Sequence, residues 1–229
     1  MTRFKFSGIL LLLTVILTAC GETDTPLAPG ESGRVDDGAI YFLQYSEALE
    51  PYNISATITF TMTGESFARG FVNTPSGERI ALQASPSGIL LLGTVTGTRE
   101  SLKNRFQDGT YHFGAVFTND FTVFIDRTLS GQFPSFPAIV APVDDEEINL
   151  TPTIQWYRVP EADDYHVVVV ELPCDCTVFE IEVGGDASFM SVAVPNGLLE
   201  SGTPYRIEVR AVPPEGTKAS ASVIHVTTE

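Results

Sequence analysis

The sequence predicts an all-β protein made of two tandem antiparallel β-sandwich domains, and three observations carry that prediction. Val, Thr, Phe, Ile and Tyr are frequent and turn residues are spread along the chain, a composition that favours strands over helices. Two segments, Ala56 to Thr63 and Tyr205 to Val212, alternate apolar with polar residues, the period of a half-buried strand. Between them Phe133-Pro134-Ser135-Phe136-Pro137 is a stiff Pro-rich stretch that divides the chain.

The elements follow in order. Arg3 and Lys5 precede an apolar run from Phe6 to Leu17, which ends in Leu17-Thr18-Ala19-Cys20. A run of roughly a dozen apolar residues is too short to span a bilayer as a helix, which takes about 20. It suits the apolar region of a signal peptide, with its positive flank and small residues before the cut. The box resembles that of bacterial lipoproteins. The resemblance implies cleavage after Ala19, diacylation of Cys20, and anchorage of residues 20–38 onward to a cell membrane or outer membrane on the exported side. Gly21, in place of an Asp, permits the outer membrane and leaves inner against outer open. Gly21 to Gly38 reads GETDTPLAPGESGRVDDG, with almost no bulky apolar residue, and is expected to be a flexible tether.

Charge excludes one class of partner. Removing Arg3 and Lys5 with residues 1–19 leaves 11 Lys+Arg against 29 Asp+Glu, a formal charge of −18. So acidic a body is repelled by nucleic acid. The expected partners are the membrane, through lipid, and an envelope protein or polysaccharide.

Residues 39–132 form the first expected domain, β-rich and of no recognised type. Ile40 to Leu43 opens it as an apolar strand, and Ala56 to Thr63 follows with its Thr face outward. Phe67 to Val72, Arg79 to Leu82 after the Pro75-Ser76-Gly77 turn, and Gly88 to Val95 are further strands. Arg99 to Phe106 is the one convincing helix, capped by Thr98, with Leu102 and Phe106 on one face. Tyr111 to Phe117 and Phe121 to Ile125 flank Thr118-Asn119-Asp120 as a hairpin.

Residues 133–149 are expected to be a Pro-rich and acidic linker, and residues 150–229 a second domain. There, Thr151-Pro152-Thr153-Ile154-Gln155-Trp156 is followed by Val159, Ala162 and Tyr165, and Leu199-Glu200-Ser201-Gly202-Thr203-Pro204-Tyr205 leads into the alternating strand Tyr205 to Val212. These residues resemble a fibronectin type III module, with Trp156 and Tyr205 in its core. The resemblance implies a seven-strand, immunoglobulin-like sandwich whose last strand is Val223 to Thr227.

Signatures of catalysis are missing from the sequence: it holds no G-x-S-x-G, no H-E-x-x-H and no Walker A loop. The expectation is therefore no enzyme, no catalytic residue, no cofactor and no metal. His112, His166 and His225 all fall in expected strands. Cys174-x-Cys176 keeps several readings open. Two ligands are too few for structural zinc, a redox pair lacks the C-x-x-C spacing, and a disulfide or two free thiols remain. Asp144-Asp145-Glu146-Glu147 reads either as a solvated turn or as a calcium site between domains, though it lacks the spaced acidic pattern of a calcium loop.

One surface stands out. If Tyr165, Val167 and Val169 face the core, Val168 and Val170 face outward, flanked by Glu180 and Glu182 on one side and Arg206, Glu208 and Arg210 on the other. Two readings follow: a partner face built on Val168, Val170, Arg206 and Arg210, or a surface finished by Arg stems laid over the valines. A carbohydrate-binding component would instead place Tyr or Trp on an exposed sheet face. An enzyme hidden in the first domain would need exposed aromatics beside paired carboxylates.

Overall fold

The computed structural model describes residues 33–47, 54–185, 187–214 and 216–229. They form fifteen strands and one helix. The chain up to residue 32, including the signal, Cys20 and most of the expected tether, lies outside the described residues. No described helix is long and apolar enough to cross a membrane.

The N-terminal half runs β1 (Arg34–Glu47), β2 (Ser55–Glu65), β3 (Phe67–Asn73), β4 (Arg79–Ala84), β5 (Leu90–Thr98), α1 (Arg99–Arg105), β6 (Gly109–Phe117) and β7 (Thr122–Leu129). In β2, Ala56, Ile58, Phe60 and Met62 face inward and the threonines face out, as alternation predicts. Thr98 Oγ1 accepts from the Ser101 amide and starts α1, which drops Leu102 into the core. The strands pair in the order β1-β2-β5-β4-β3-β6-β7. β4 pairs with β3 through Arg79 to Leu82 and then with β5 through Gln83 and Ala84. The sheet therefore folds back on itself at β4. Its far strand returns to its first: Arg127 of β7 donates to the Gly38 carbonyl at 2.6 Å and pairs with Asp37. Where two stacked sheets were expected, one folded sheet encloses a single core that includes Phe42, Ile58, Phe60, Tyr111, Phe113 and Phe106.

The C-terminal half runs β8 (Ile139–Ala141), β9 (Glu146–Ile148), β10 (Thr153–Tyr157), β11 (Asp164–Glu171), β12 (Cys176–Gly184), β13 (Phe189–Ala193), β14 (Pro204–Val212) and β15 (Lys218–Thr228). A three-stranded sheet, β13-β10-β8, lies across a core from β12-β11-β14-β15, and β9 adds to β15 in parallel. Trp156, Tyr165, Val167, Val169, Ile207, Val209 and Ile224 meet between the two sheets. Trp156 packs on Tyr165 with ring centroids 5.5 Å apart.

Three boundaries differ from the sequence reading. Arg34 to Gly38, expected in the tether, are strand, because Arg34 to Tyr45 pair with β2. Residues 133–149, expected as a linker, contain β8 and β9, which complete the two C-terminal sheets. β15 begins at Lys218 rather than Val223, because β1 supplies a partner there: Phe42 to Glu47 pair in parallel with Lys218 to Val223.

That last pairing makes one continuous sheet across both halves. The junction is also bonded through side chains. Gln44 donates to the Ser220 hydroxyl at 2.7 Å, which donates to the Pro134 carbonyl. Ser222 donates to the Pro137 carbonyl, and Thr217 to that of Ser130. The Lys218 ammonium meets Asp108 at 2.5 Å and the Gly131 carbonyl at 2.8 Å. Phe133 packs edge-on against Phe42, with Arg99 and Lys218 over its ring. The Pro-rich stretch is thus a packed part of the seam.

Candidate binding faces

The structure keeps the expected partner face on the outer side of the large sheet but closes it. Val168 and Val170 turn away from the second core, yet they are only 3% and 4% exposed. The register explains this. Glu208 stands opposite Val168, and Arg206 opposite Val170. Arg206 and Arg210 both turn their guanidinium groups onto the Glu208 carboxylate, at 3.0 and 2.6 Å. Arg206 reaches on to Asp175 at 3.1 Å. All three charged residues lie on β14, beside the valines of β11, so their mutual ion pairs run along that strand. Tyr41 and Tyr45 of β1 flank the same charges, and burial pushes the Tyr41 hydroxyl up to about 12. The apolar stripe expected to be accessible is therefore buried, beside a run of ion pairs on β14.

His166, on this outer face, is buried as well, with Glu182 at 3.8 Å. Burial lowers its pKa, opposed by Glu182. Cys174 and Cys176 lie at the exposed turn between β11 and β12, disulfide-bonded with their Cα atoms 5.2 Å apart. In the acidic stretch, Asp144 accepts from the His225 amide and Glu146 from the Val143 amide, both at 2.7 Å. Among the described residues, no three His, Cys, Asp or Glu side chains converge to hold a metal ion.

A different face is open. On the outer side of β4-β3-β6-β7, Phe71, Gly114 and Phe124 are direct cross-strand neighbours. The distal edge of the Phe71 ring covers Gly114 so closely that a Cβ there would run into it. A glycine inside a strand marks such a close approach, and an aromatic ring laid over it restores the missing packing. Arg79 stands 4.1 Å over the Phe71 ring, and Phe124 meets that ring edge-on at 6.1 Å. Phe124 is 62% exposed. The adjacent row is polar throughout. Arg79 donates to Asn73 at 2.9 Å, Asn73 lies opposite His112, and His112 Nδ1 is 2.7 Å from Asp126. An aromatic row beside a row of planar donors and acceptors can hold a ligand that has both apolar faces and hydroxyl groups.

The small sheet of the C-terminal half carries a second exposed pair. Tyr157 and Phe189 are cross-strand partners, 5.6 Å apart and 56% and 43% exposed. Sequence reasoning passed over both pairs. The available signal was Gly114, an isolated glycine in an otherwise strong strand.

Compared with known proteins, the chain matches no family model and no curated sequence.

Proposed function

We propose that this is a lipid-anchored cell-envelope protein that acts as a binding module rather than a catalyst, held on the exported side through Cys20. The Leu17-Thr18-Ala19-Cys20 box supports the anchor. A fibronectin type III-like, immunoglobulin-class assignment for the C-terminal half is supported by three strands facing four, by Trp156 in the core, and by a tyrosine corner. In that corner the Tyr205 hydroxyl accepts from the Glu200 amide at 2.8 Å, five residues upstream.

The observation that carries the binding reading is the pair of rows on β4-β3-β6-β7: Phe71, Gly114 and Phe124 beside Arg79, Asn73, His112 and Asp126. It favours a saccharide ligand, because sugar rings offer C–H faces to aromatic rings and hydroxyl groups to planar polar side chains. Tyr157 and Phe189 extend the same chemistry to a second sheet face. Phe124→Ala and His112→Ala test it, in purified protein titrated with isolated envelope polysaccharide. Both residues are exposed, so both variants fold. Binding to the native protein that weakens in both variants supports the reading. Binding that is equal in all three proteins removes this face. Capture of an envelope protein in place of polysaccharide keeps the binding module and changes its ligand class.

A further inference from the structure

We propose that the loop end of the N-terminal half that carries Ile89 and Phe121 rests on the lipid surface to which the chain is anchored. This inference rests on the lipid anchor at Cys20 proposed above. It assigns a surface that the saccharide face does not use.

Three loops and the incoming chain converge at this end. The Gly64 amide donates to the Ile89 carbonyl at 3.1 Å, Phe67 to Gly88 at 2.8 Å, and Thr118 to Ser66 at 3.0 Å. Gly64 lies opposite Val35 at the start of β1. Gly33 packs directly on the Phe117 ring, which stacks on Phe67 at 5.6 Å and on Phe121 at 6.4 Å. The described chain therefore begins beside these loops. From Cys20 to Gly33 it can extend at most about 45 Å. The tether therefore joins the body at this loop end.

The residues at this end suit lipid. Ile89 is 55% exposed and Phe121 37% exposed, each on a different loop. The Ser85-Pro86-Ser87-Gly88-Ile89 loop carries no charge, in a chain whose formal charge is −16. Arg34 stands against two carboxylates, Asp36 and Glu65. Asp120 is the remaining charge on the hairpin turn. An end whose uncharged Ser85-to-Ile89 loop and Phe121 present two large apolar tips, with a net negative charge only at its rim, fits a zwitterionic rather than an anionic bilayer interface, where aromatic and aliphatic side chains partition. Tethering raises the effective concentration of the loops at the bilayer, so a weak intrinsic affinity suffices.

The test uses the full lipidated chain in phosphatidylcholine vesicles, with brominated acyl chains in a parallel sample. The natural tryptophan, Trp156, is fully buried. A Phe121→Trp variant reports on the loop, and a Tyr157→Trp variant controls for the C-terminal half. Flotation with the vesicles is measured first. Expected are flotation of both variants, a blue-shifted emission for Phe121→Trp, and its loss on brominated lipid, with Tyr157→Trp unquenched. Flotation with Phe121→Trp still water-exposed overturns this inference and leaves the anchor standing. Failure to float overturns the anchor and the inference together. A blue shift that follows protein concentration without bromine quenching assigns the loops to a second copy and overturns the lipid assignment.

Discussion

The Gln44 side-chain amide donates to the Ser220 hydroxyl at 2.7 Å across 176 residues of sequence, and both groups are buried. Gln44 sits on the first strand of one half and Ser220 on the last strand of the other. Ser220→Ala leaves Gln44 without its acceptor and the Pro134 carbonyl without its donor. Stranding buried polar groups costs about 1–3 kcal/mol. Urea unfolding is expected to show that loss within a single transition for both cores. Two separated transitions, or no loss, would mean that the seam is not formed in solution.

The second core depends on Trp156. Trp156→Ala is expected to cost about 3–5 kcal/mol, the range for deleting a large buried aromatic. Tyr205→Phe, which only removes the bond to the Glu200 amide, should cost about 0.5–1.5 kcal/mol. Thermal melting of the two variants separates packing from the corner bond. Equal losses would argue against a tyrosine corner.

His166 makes stability depend on pH. Its burial holds the folded pKa below the ordinary value of 6.5, against the pull of Glu182, Glu180 and Asp164 and with the help of Arg210. The unfolded chain therefore takes up the proton first. Stability falls as pH drops below about 6.5 and stops falling below the folded pKa. His166→Gln should flatten the slope of the denaturation midpoint in that window. A slope identical to that of the native protein would assign the acid loss to other groups.

Cys174 and Cys176 close a very short loop, so their bond should add little. For a loop this short the chain-entropy relation allows no more than about 1.6 kcal/mol. Thiol titration of the protein unfolded without reductant is expected to find no free thiol among this pair. Reduction should then lower the melting temperature by no more than about 6 °C. Two titratable thiols would remove the disulfide.

Gly114→Ala tests the covered glycine. The new methyl group meets the Phe71 ring, so the ring must move or the sheet must strain, at about 1–3 kcal/mol. The same variant should weaken saccharide binding, because Phe71 would leave its place beside Phe124. Unchanged stability and binding would show that the ring does not lie on Gly114 in solution.

The sequence by itself determined the local elements. Alternation in Ser55–Glu65 and Pro204–Val212 was enough to fix which side chains turn inward, because the strand period of two is a property of a few consecutive residues. Thr98, Leu102 and Phe106 were likewise enough for the helix. Phe189–Ala193 escaped notice because its five residues hold only Met190 and Val192 as inward positions. Only the tertiary structure decided what those elements meet. The parallel ladder of Phe42 to Glu47 with Lys218 to Val223 joins the first and last described strands, and no local pattern encodes which edge a strand will pair. The outward direction of Val168 was legible, but its burial was not, because it depends on the side chains that neighbouring strands set beside it, Glu208 of β14 among them. Gly114 was visible as an anomaly, and only strand register brought Phe71 and Phe124 to either side of it. Facing direction follows from backbone geometry within one strand, whereas exposure follows from side chains that other strands supply.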